Sequence, residues 1–354
     1  MRRKLLCLVM AIVIAVAMIG CSKTEAAETA AGREFTDDLG RTVVIPDKVE
    51  KIAVSGPLSQ IYVYPLCGDM FAGFCTAFSS DAEKYIPSEF LNLPELGQLY
   101  GGKGTMDLES LLAAGPDVII DVGQNKDGMK DDLDALSEQT GIPFVHIDAS
   151  VSTAPEVYRK LGALTGRNEQ AEILAAWCEE TNAVIEKLMK AVDEDQGRIS
   201  LLYCTGDEGL GVIAEGSFHA ETINMMGNNL AKLDDVAAFG TGNEVDVEQL
   251  LVWDPAVILF EKEAAYLNAT ESDVWGQLSA VKNGNAFAAP YGPYGWLASP
   301  PSVQRYLGML WLGELLYPEY TDYDLQEKIT EYYELFYNYT LSAEDYLELT
   351  KYAM

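Results

Sequence analysis

The chain has 354 residues, and 49% of them are hydrophobic, so it is long enough to form two domains that each bury a core. Its formal net charge is −31 at pH 7. This charge argues against nucleic acid as a partner, because phosphate groups require a basic surface, but it does not identify a ligand.

The N-terminus is typical of an export signal over residues 1–20. A basic start (MRRK) precedes an apolar stretch of about fifteen residues, which is short for a membrane-spanning helix. A glycine then precedes Cys21, and this arrangement resembles the bacterial lipoprotein signal, in which the cysteine is acylated and becomes the mature N-terminus. We therefore expect residues 21–34 to be a lipidated cysteine and a flexible tether. An ordinary cleaved signal is the alternative.

Short strands and helices alternate after the tether, which is typical of an α/β fold. Residues 35–46 predict a hairpin, and residues 51–54 and 71–76 predict single strands. Residues 155–164 predict a helix that stops at Gly166.

A long helix is predicted over residues 169–192, between the two halves of the chain. Neither glycine nor proline interrupts this segment, which at 1.5 Å per residue would be about 36 Å long. Apolar residues recur at helical spacing: Ile173, Trp177, Val184, Leu188 and Val192. A strand over residues 199–204 follows, and the chain is expected to be helical after Pro300 and Pro301.

One fourteen-residue pattern occurs twice, 139 residues apart. DLESLLAAGPDVII (107–120) and DVEQLLVWDPAVIL (246–259) are identical at seven positions. The acidic start of each copy suits the first turn of a helix, and proline ends that helix. The run of β-branched residues after the proline predicts a buried parallel strand. The repeat therefore predicts two α/β lobes of similar construction.

The order of these features resembles a known family, the substrate-binding lipoproteins of ABC importers for ferric siderophores, haem and cobalamin. The resemblance covers roughly residues 35–318. It rests on the cysteine and tether, the repeated motif, the long helix and three further stretches: DDLGRTVVIP (37–46), LGALTGRNEQAEIL (161–174) and LSAVKNGNAFAAP (278–290).

The resemblance implies two Rossmann-like lobes joined by one rigid helix, with the ligand in the cleft between the lobes. The corresponding boundaries are an N-terminal lobe over 35–166, a bridging helix over 167–195 and a C-terminal lobe over 196–354. A continuous helix also implies only modest closure on binding, because it cannot absorb the φ/ψ changes of a loop hinge.

The resemblance further implies an extracytoplasmic, membrane-anchored protein that is not an enzyme and needs no cofactor. Its cargo would be an iron chelate (a ferric siderophore, haem or a corrinoid), which it delivers to an ABC permease dimer. A metal ion such as Fe or Ni is the alternative cargo. A secreted two-lobe hydrolase is a further alternative, although the chain has no G-x-S-x-G, no H-E-x-x-H and no Gly-rich phosphate loop following a strand.

Two glutamates of the repeated motif, Glu109 and Glu248, carry a specific implication of the resemblance. In the family, one glutamate on each lobe pairs with arginines of the membrane permease. From the residues alone, the favoured interpretation is a solvated acid that stabilises the first turn of its helix, and this is compatible with docking.

Candidate ligand residues lie on loops beyond the carboxyl ends of the strands, where open α/β sheets bind ligands. The loop over 291–302 places aromatic residues between glycines and prolines, where packing into a helix or strand face is not expected, and rigid aromatics suit a planar or apolar ligand. A packed surface loop is the alternative. The expected ligand-binding residues are Tyr100, Lys103, His219, Tyr291, Tyr294, Trp296 and Arg305. Together with Lys103 and Arg305, Lys126 is a candidate to meet negative charge on a ligand.

The histidines and cysteines have separate interpretations. His146 lies in the middle of a predicted strand and is expected in the core, whereas His219 lies at a predicted helix start and is either a metal or haem ligand or a capping or surface residue. Since no second histidine lies near His219 in sequence, a dedicated zinc or nickel site has only weak support. Export permits disulfides, but buried thiols are expected at the four cysteines after the signal: Cys67, Cys75, Cys178 and Cys204.

Overall fold

A computed structural model describes residues 32–99, 104–237 and 240–354. The predicted export signal, the lipidation site Cys21 and the predicted ligand residues Tyr100 and Lys103 lie outside these ranges. Within them, no helix combines the length and the apolar character needed to cross a membrane.

The first half of the chain contains a hairpin and a parallel sheet. Strands β1 (Gly32–Thr36) and β2 (Thr42–Pro46) pair antiparallel, so the predicted hairpin is confirmed, but it begins three residues earlier than expected. Residues 32–34, expected in the flexible tether, belong to β1 because they pair with residues 44–46. Strands β3 (Ile52–Val54), β4 (Val118–Gly123) and β5 (Phe144–Asp148) form a three-stranded parallel sheet in that order. Nearly all their residues are buried, as expected for a parallel sheet covered on both faces.

The predicted strand over residues 71–76 is wrong, because the segment forms only isolated bridges. Phe71 pairs with Ile52 of β3, whereas Phe74 pairs with Glu95. The segment thus changes its hydrogen-bonding partner within three residues, and no continuous ladder can form with either neighbour.

Five helices flank this sheet, with short 3₁₀ turns at Gly68–Met70 and Ser80–Lys84. The helix predicted over residues 155–164 is confirmed as α5 and ends at Gly166, whose φ of 80° forms a left-handed cap. The five are α1 (Pro57–Cys67), α2 (Ser88–Leu91), α3 (Leu108–Ala114), α4 (Met129–Thr140) and α5 (Ala154–Thr165).

The long helix predicted in mid-chain is confirmed as α6 (Asn168–Asp195). Its 28 residues give a rod of about 42 Å at 1.5 Å per residue. Trp177, Leu188 and Val192 are buried on its inner face, as the helical spacing predicts, whereas Ile173 faces solvent. A continuous helix of this length connects the two halves of the molecule.

The second half contains a mixed sheet in the order β11-β10-β6-β7-β9, with β8 paired to β6. Strands β8, β10 and β11 belong to parallel pairs, and β7 pairs antiparallel with both β6 and β9. The strands are β6 (Ser200–Thr205), β7 (Gly211–Val212), β8 (Asn228–Asn229), β9 (Asn243–Glu244), β10 (Val257–Phe260) and β11 (Ala286–Ala288).

The remaining helices surround this sheet and complete the chain, with 3₁₀ turns at Phe218–Ala220 and Trp275–Gln277. Short non-helical segments separate the last three. They are α7 (Glu221–Met226), α8 (Val247–Trp253), α9 (Glu263–Glu271), α10 (Ser279–Lys282), α11 (Arg305–Leu316), α12 (Leu325–Tyr337) and α13 (Ala343–Leu349).

An aromatic cluster on α12 packs this late helix against the first half of the chain. The rings of Tyr332 and Phe336 stack 4.2 Å apart, and Tyr332 also lies 5.4 Å from Trp177 on α6. Tyr333 lies 5.2 Å from Tyr85. One hydrophobic core therefore extends through residues of both halves and fixes their arrangement around α6. The predicted α/β fold of two lobes joined by a long helix is confirmed.

Candidate functional site

The loops beyond the carboxyl ends of the two sheets meet each other. The Ser302 hydroxyl donates a hydrogen bond to the carbonyl of Leu58 at 3.1 Å, and the Tyr306 hydroxyl donates to the carbonyl of Val151 at 2.7 Å. Leu58 follows β3 and Val151 follows β5, while Ser302 and Tyr306 lie at the start of α11. The two lobes therefore meet at this junction, where the resemblance places the ligand cleft.

Arg305, the first residue of α11, lies fully buried at this junction. Its Nε donates to the carbonyl of Ser302 at 3.2 Å, and its guanidinium lies 5.2 Å from the ring centroid of Phe218. Nη1 lies 2.5 Å from Oε2 of Glu221, yet neither terminal nitrogen has a hydrogen-bond partner of suitable geometry. A buried guanidinium with unused donors is costly unless something accepts from it.

The first lobe also faces this arginine. Tyr62 of α1 is fully buried, and burial raises the pKa of its hydroxyl, while the positive charge of nearby Arg305 opposes that rise. Arg305 therefore lies between a tyrosine of the first lobe and a glutamate of the second.

His219 lies in the 3₁₀ turn that precedes α7, and its backbone N–H donates to the capping hydroxyl of Ser217 at 3.2 Å. Burial lowers the pKa of His219, and the positive charges of Arg305 and Lys126 lower it further. Lys126 belongs to the loop after β4, so cationic groups of both lobes act on one imidazole. The lowered pKa favours the neutral imidazole.

The three aromatic residues of the loop over 291–302 differ in exposure. Tyr291 is 44% exposed and Tyr294 is half-buried, but Trp296 is fully buried. The expectation that these rings avoid packing is wrong for Trp296, because its side chain belongs to the hydrophobic core shared by both halves of the chain. A Cβ on Gly308 of α11 would lie 2.4 Å from the carbonyl oxygen of Trp296, so glycine permits the close approach of α11 to this backbone. A ligand role for Trp296 stays a prediction that this conformation does not favour.

The two copies of the repeated motif form matching helix starts. Asp107 caps α3 by accepting from the N–H of Glu109 at 3.0 Å, and Asp246 caps α8 by accepting from the N–H of Gln249 at 2.8 Å. Glu109 and Glu248 are both exposed. An exposed aliphatic residue lies one helical turn after each glutamate: Leu112 at 50% and Val252 at 78% exposure.

The remaining candidates are structural. His146 is buried in β5 with Nδ1 2.6 Å from Oδ2 of Asp121, so its expected place in the core is confirmed. All four cysteines after the signal are buried free thiols, as expected. Across the described ranges, no group of three or more His, Cys, Asp or Glu side chains could hold a metal ion.

Sequence reasoning missed Glu221, Phe218 and Tyr62 as neighbours of Arg305. Glu221 stands two residues after His219 and begins a helix, a position that suits any acid. Its contact with Arg305, 84 residues later, leaves no local signal in the sequence.

The sequence is similar to that of known binding proteins. A family described as periplasmic binding protein matches residues 81–291, which is more than half of the chain. The molybdate-binding protein MolA of Haemophilus influenzae is 25% identical over 334 residues, covering 87% of this chain and 91% of MolA.

Solved structures show the same fold. An ABC transporter solute-binding protein from Sulfurospirillum deleyianum superimposes with a TM-score of 0.81 and 28% identity, covering 90% of this chain and 99% of that chain. A periplasmic solute-binding protein from Veillonella parvula gives a TM-score of 0.73 at 23% identity, with 91% and 98% coverage. MolA bound to molybdate gives 0.68 at 21% identity, with 88% and 99% coverage.

Proposed function

The chain belongs to the periplasmic binding protein family of ABC-transporter solute-binding proteins, and from this premise we propose that its cargo is a small oxyanion of the molybdate class. The protein would hold this anion between its lobes and deliver it to an ABC permease. The observation that carries the proposal is the buried guanidinium of Arg305, both of whose terminal nitrogens lack a hydrogen-bond partner at the junction of the lobes. The charges of Arg305 and Lys126 also both act on His219.

The chemistry of these groups matches a tetrahedral oxyanion, which offers only hydrogen-bond acceptors. The guanidinium of Arg305 presents a fork of donors, two of whose nitrogens have no hydrogen-bond partner. Burial strengthens their attraction for an anion because little water screens it. Lys126 adds a cation from the opposite lobe, so an anion in the cleft would attract both lobes.

The relatives support the same cargo class. MolA is named for molybdate, and the likeness to it extends over most of both chains. The full burial of Trp296 removes the largest aromatic surface expected to stack on a planar cargo.

An anionic iron chelate, such as a ferric siderophore, haem or a corrinoid, is the second candidate cargo. The exposed ring of Tyr291, with Tyr294 beside it, favours this candidate because tyrosine rings suit large ligands. The same arginine and lysine would meet the chelate's negative charge. A bare metal ion lacks a comparable set of ligands among the residues that the structure describes.

Two further roles complete the proposal. Glu109 and Glu248 dock the two lobes onto the permease, and a lipid on Cys21 anchors the protein at the outer face of the cell membrane.

Labelling of cells with radioactive palmitate tests the lipid anchor. The wild-type protein should incorporate the label, and the Cys21→Ser variant should not. Equal labelling of both would contradict it.

Isothermal titration calorimetry of the full-length protein in detergent tests the cargo. The titrants are molybdate, tungstate, sulfate, a ferric catecholate, a ferric hydroxamate, haem, cobalamin and Ni²⁺. We expect saturable binding of molybdate or tungstate at one site. Binding only of haem, cobalamin or a ferric chelate would establish the second candidate, and binding of none by a folded protein would contradict both.

A further inference from the structure

Glu221 links the two lobes at the proposed cargo site. Its Oε1 accepts a hydrogen bond from the backbone N–H of Val151 in the first lobe at 2.9 Å. Its Oε2 lies 2.5 Å from Nη1 of Arg305 in the second lobe. One carboxylate therefore contacts both sides of the cleft.

This carboxylate stands where an anionic cargo would be expected. Arg305 is fully buried and Glu221 is 22% exposed, so the pair lies at the edge of the core, at the junction of the two lobes. The other neighbours of the guanidinium, namely the Ser302 carbonyl, the Phe218 ring and the Tyr62 hydroxyl, carry no net charge. Arg305 therefore forms its ion pair with Glu221. The carboxylate oxygens of Glu221 are anionic hydrogen-bond acceptors, as the oxygens of a bound oxyanion would be.

The geometry of this pair is incomplete. Oε2 of Glu221 and both terminal nitrogens of Arg305 are buried without a hydrogen bond of suitable geometry, although Oε2 and Nη1 are close. A pair that served only to stabilise the fold would gain most from a bidentate arrangement, in which both terminal nitrogens donate to the carboxylate. The donors of Arg305 thus remain available to a better acceptor.

We propose that Glu221 is a specificity-determining residue that competes with the cargo for Arg305. An incoming oxyanion takes over the guanidinium, and Glu221 leaves it. Since the same carboxylate holds the N–H of Val151, its departure changes a contact between the lobes and couples capture to their arrangement. This inference rests on the proposed oxyanion function and adds a built-in competitor that sets its affinity.

The test compares molybdate binding by the wild-type protein and by Glu221→Gln. Glutamine keeps the size of the side chain and an acceptor for Val151 but removes the competing charge. We expect the Kd for molybdate to fall about tenfold, which corresponds to one charge-assisted hydrogen bond that no longer has to be broken. An unchanged or higher Kd in the folded variant would overturn the inference.

Glu215→Gln is the matched control. Glu215 also belongs to the second lobe, but it pairs with Lys232 at 3.6 Å and both side chains are exposed. Its substitution removes the same charge from the protein without touching the cleft. The Kd of this variant should stay within about twofold of the wild type, so an equal gain in both variants would attribute the effect to net charge and overturn the inference.

Thermal unfolding provides a second readout that a purely structural role would not give. Without molybdate, Glu221→Gln should unfold at a lower temperature than the wild type, because Arg305 is buried without its partner. Saturating molybdate should raise the Tm of the variant more than that of the wild type. Equal stabilisation of both would contradict competition.

If Glu221→Gln does not fold, Glu221→Asp replaces it in the molybdate-binding test. The shorter carboxylate keeps its charge but withdraws from Arg305, so molybdate should bind about threefold more tightly, and weaker binding would overturn the inference. A folded wild-type protein that binds no oxyanion would instead contradict the proposed function, and the role of Glu221 with it.

Discussion

The two lobes are alike on their outer helices and unlike in the cleft. Both α3 and α8 begin with an aspartate cap and expose a glutamate in the first turn. In the cleft, by contrast, the second lobe supplies Arg305, His219 and Glu221, while the first supplies Lys126 and Tyr62. A duplicated surface suits a partner with two similar halves, and a one-sided charged cleft suits a single cargo molecule.

The cleft should respond most strongly to the loss of Arg305. Arg305→Gln is expected to weaken molybdate binding about a hundredfold or more, because two charge-assisted hydrogen bonds of about 1.5–3 kcal/mol each are lost. Calorimetry measures the effect, and Lys232→Gln, an exposed cation of the same lobe, should bind normally. A folded Arg305→Gln protein with wild-type affinity would remove the arginine from the site.

Substitutions on the outer helices α3 and α8 should affect uptake by cells but not the affinity for the cargo. Glu109→Ala combined with Glu248→Ala is expected to lower uptake of radiolabelled molybdate by cells about tenfold or more, because the loss of one partner of a close charge pair typically costs several kcal/mol. The affinity of the purified protein for molybdate should not change. Each single variant should have a similar, smaller effect on uptake.

Glu327→Ala is the control for docking, since Glu327 is also an exposed first-turn acid on an aspartate-capped helix but lies outside the repeated motif. Normal uptake by the double variant would show that the likeness of the two helices has no role in transport.

A smaller difference separates the ends of the same two helices. Gly115 ends α3 with a φ of 61°, whereas Asp254 ends α8 with a φ of 35° and accepts hydrogen bonds from the backbone N–H and the hydroxyl of Ser279 at 2.8 and 2.7 Å. Gly115→Ala should lower the free energy of unfolding by about 1–2 kcal/mol, because a Cβ is strained in this conformation. Urea denaturation of the wild type and the variant measures this change in the free energy of unfolding.

Asp254→Gly is the matched change in the second lobe, and its expected cost is smaller than that of Gly115→Ala. Glycine relieves the backbone strain but loses the two bonds from Ser279, so the two effects oppose each other. A larger loss for Asp254→Gly would show that the side-chain bonds, rather than the backbone conformation, dominate this helix end.

The smallest expected effect concerns His219 and pH. Because burial and the charges of Arg305 and Lys126 lower its pKa in the folded state, the unfolded chain takes up the proton at a higher pH. The stability contributed by neutral His219 is present above pH 6.5 and is lost as the pH falls through the lowered value. His219→Gln should therefore flatten the decline in unfolding free energy below pH 6.5, and an unchanged decline would contradict the assignment.

Features encoded by local patterns were predictable from the sequence. The repeated motif predicted α3 with β4 and α8 with β10, because an acidic cap, one inward leucine (Leu111 or Leu250) and a proline after the helix lie within fourteen residues. The length of α6 followed from its uninterrupted apolar spacing. In each case the determining residues are neighbours in the chain.

Features that depend on distant contacts were not predictable. Trp296 is buried in a core built from distant segments of the chain, and the predicted strand over 71–76 fails because the segment changes its pairing partner. The cleft is the extreme case, since Arg305 and Glu221 lie on different helices and have no shared motif. The charged group that defines the proposed cargo therefore emerges only from the folded structure.

A crystal structure of the protein grown with tungstate tests the oxyanion proposal most directly, because tungsten gives a strong anomalous signal. We predict one anomalous peak in the cleft, with oxygen atoms about 2.7–3.2 Å from the terminal nitrogens of Arg305 and with Glu221 displaced from them. A well-ordered structure whose cleft lacks this peak, or whose tungstate lies elsewhere while Arg305 stays paired with Glu221, would contradict it.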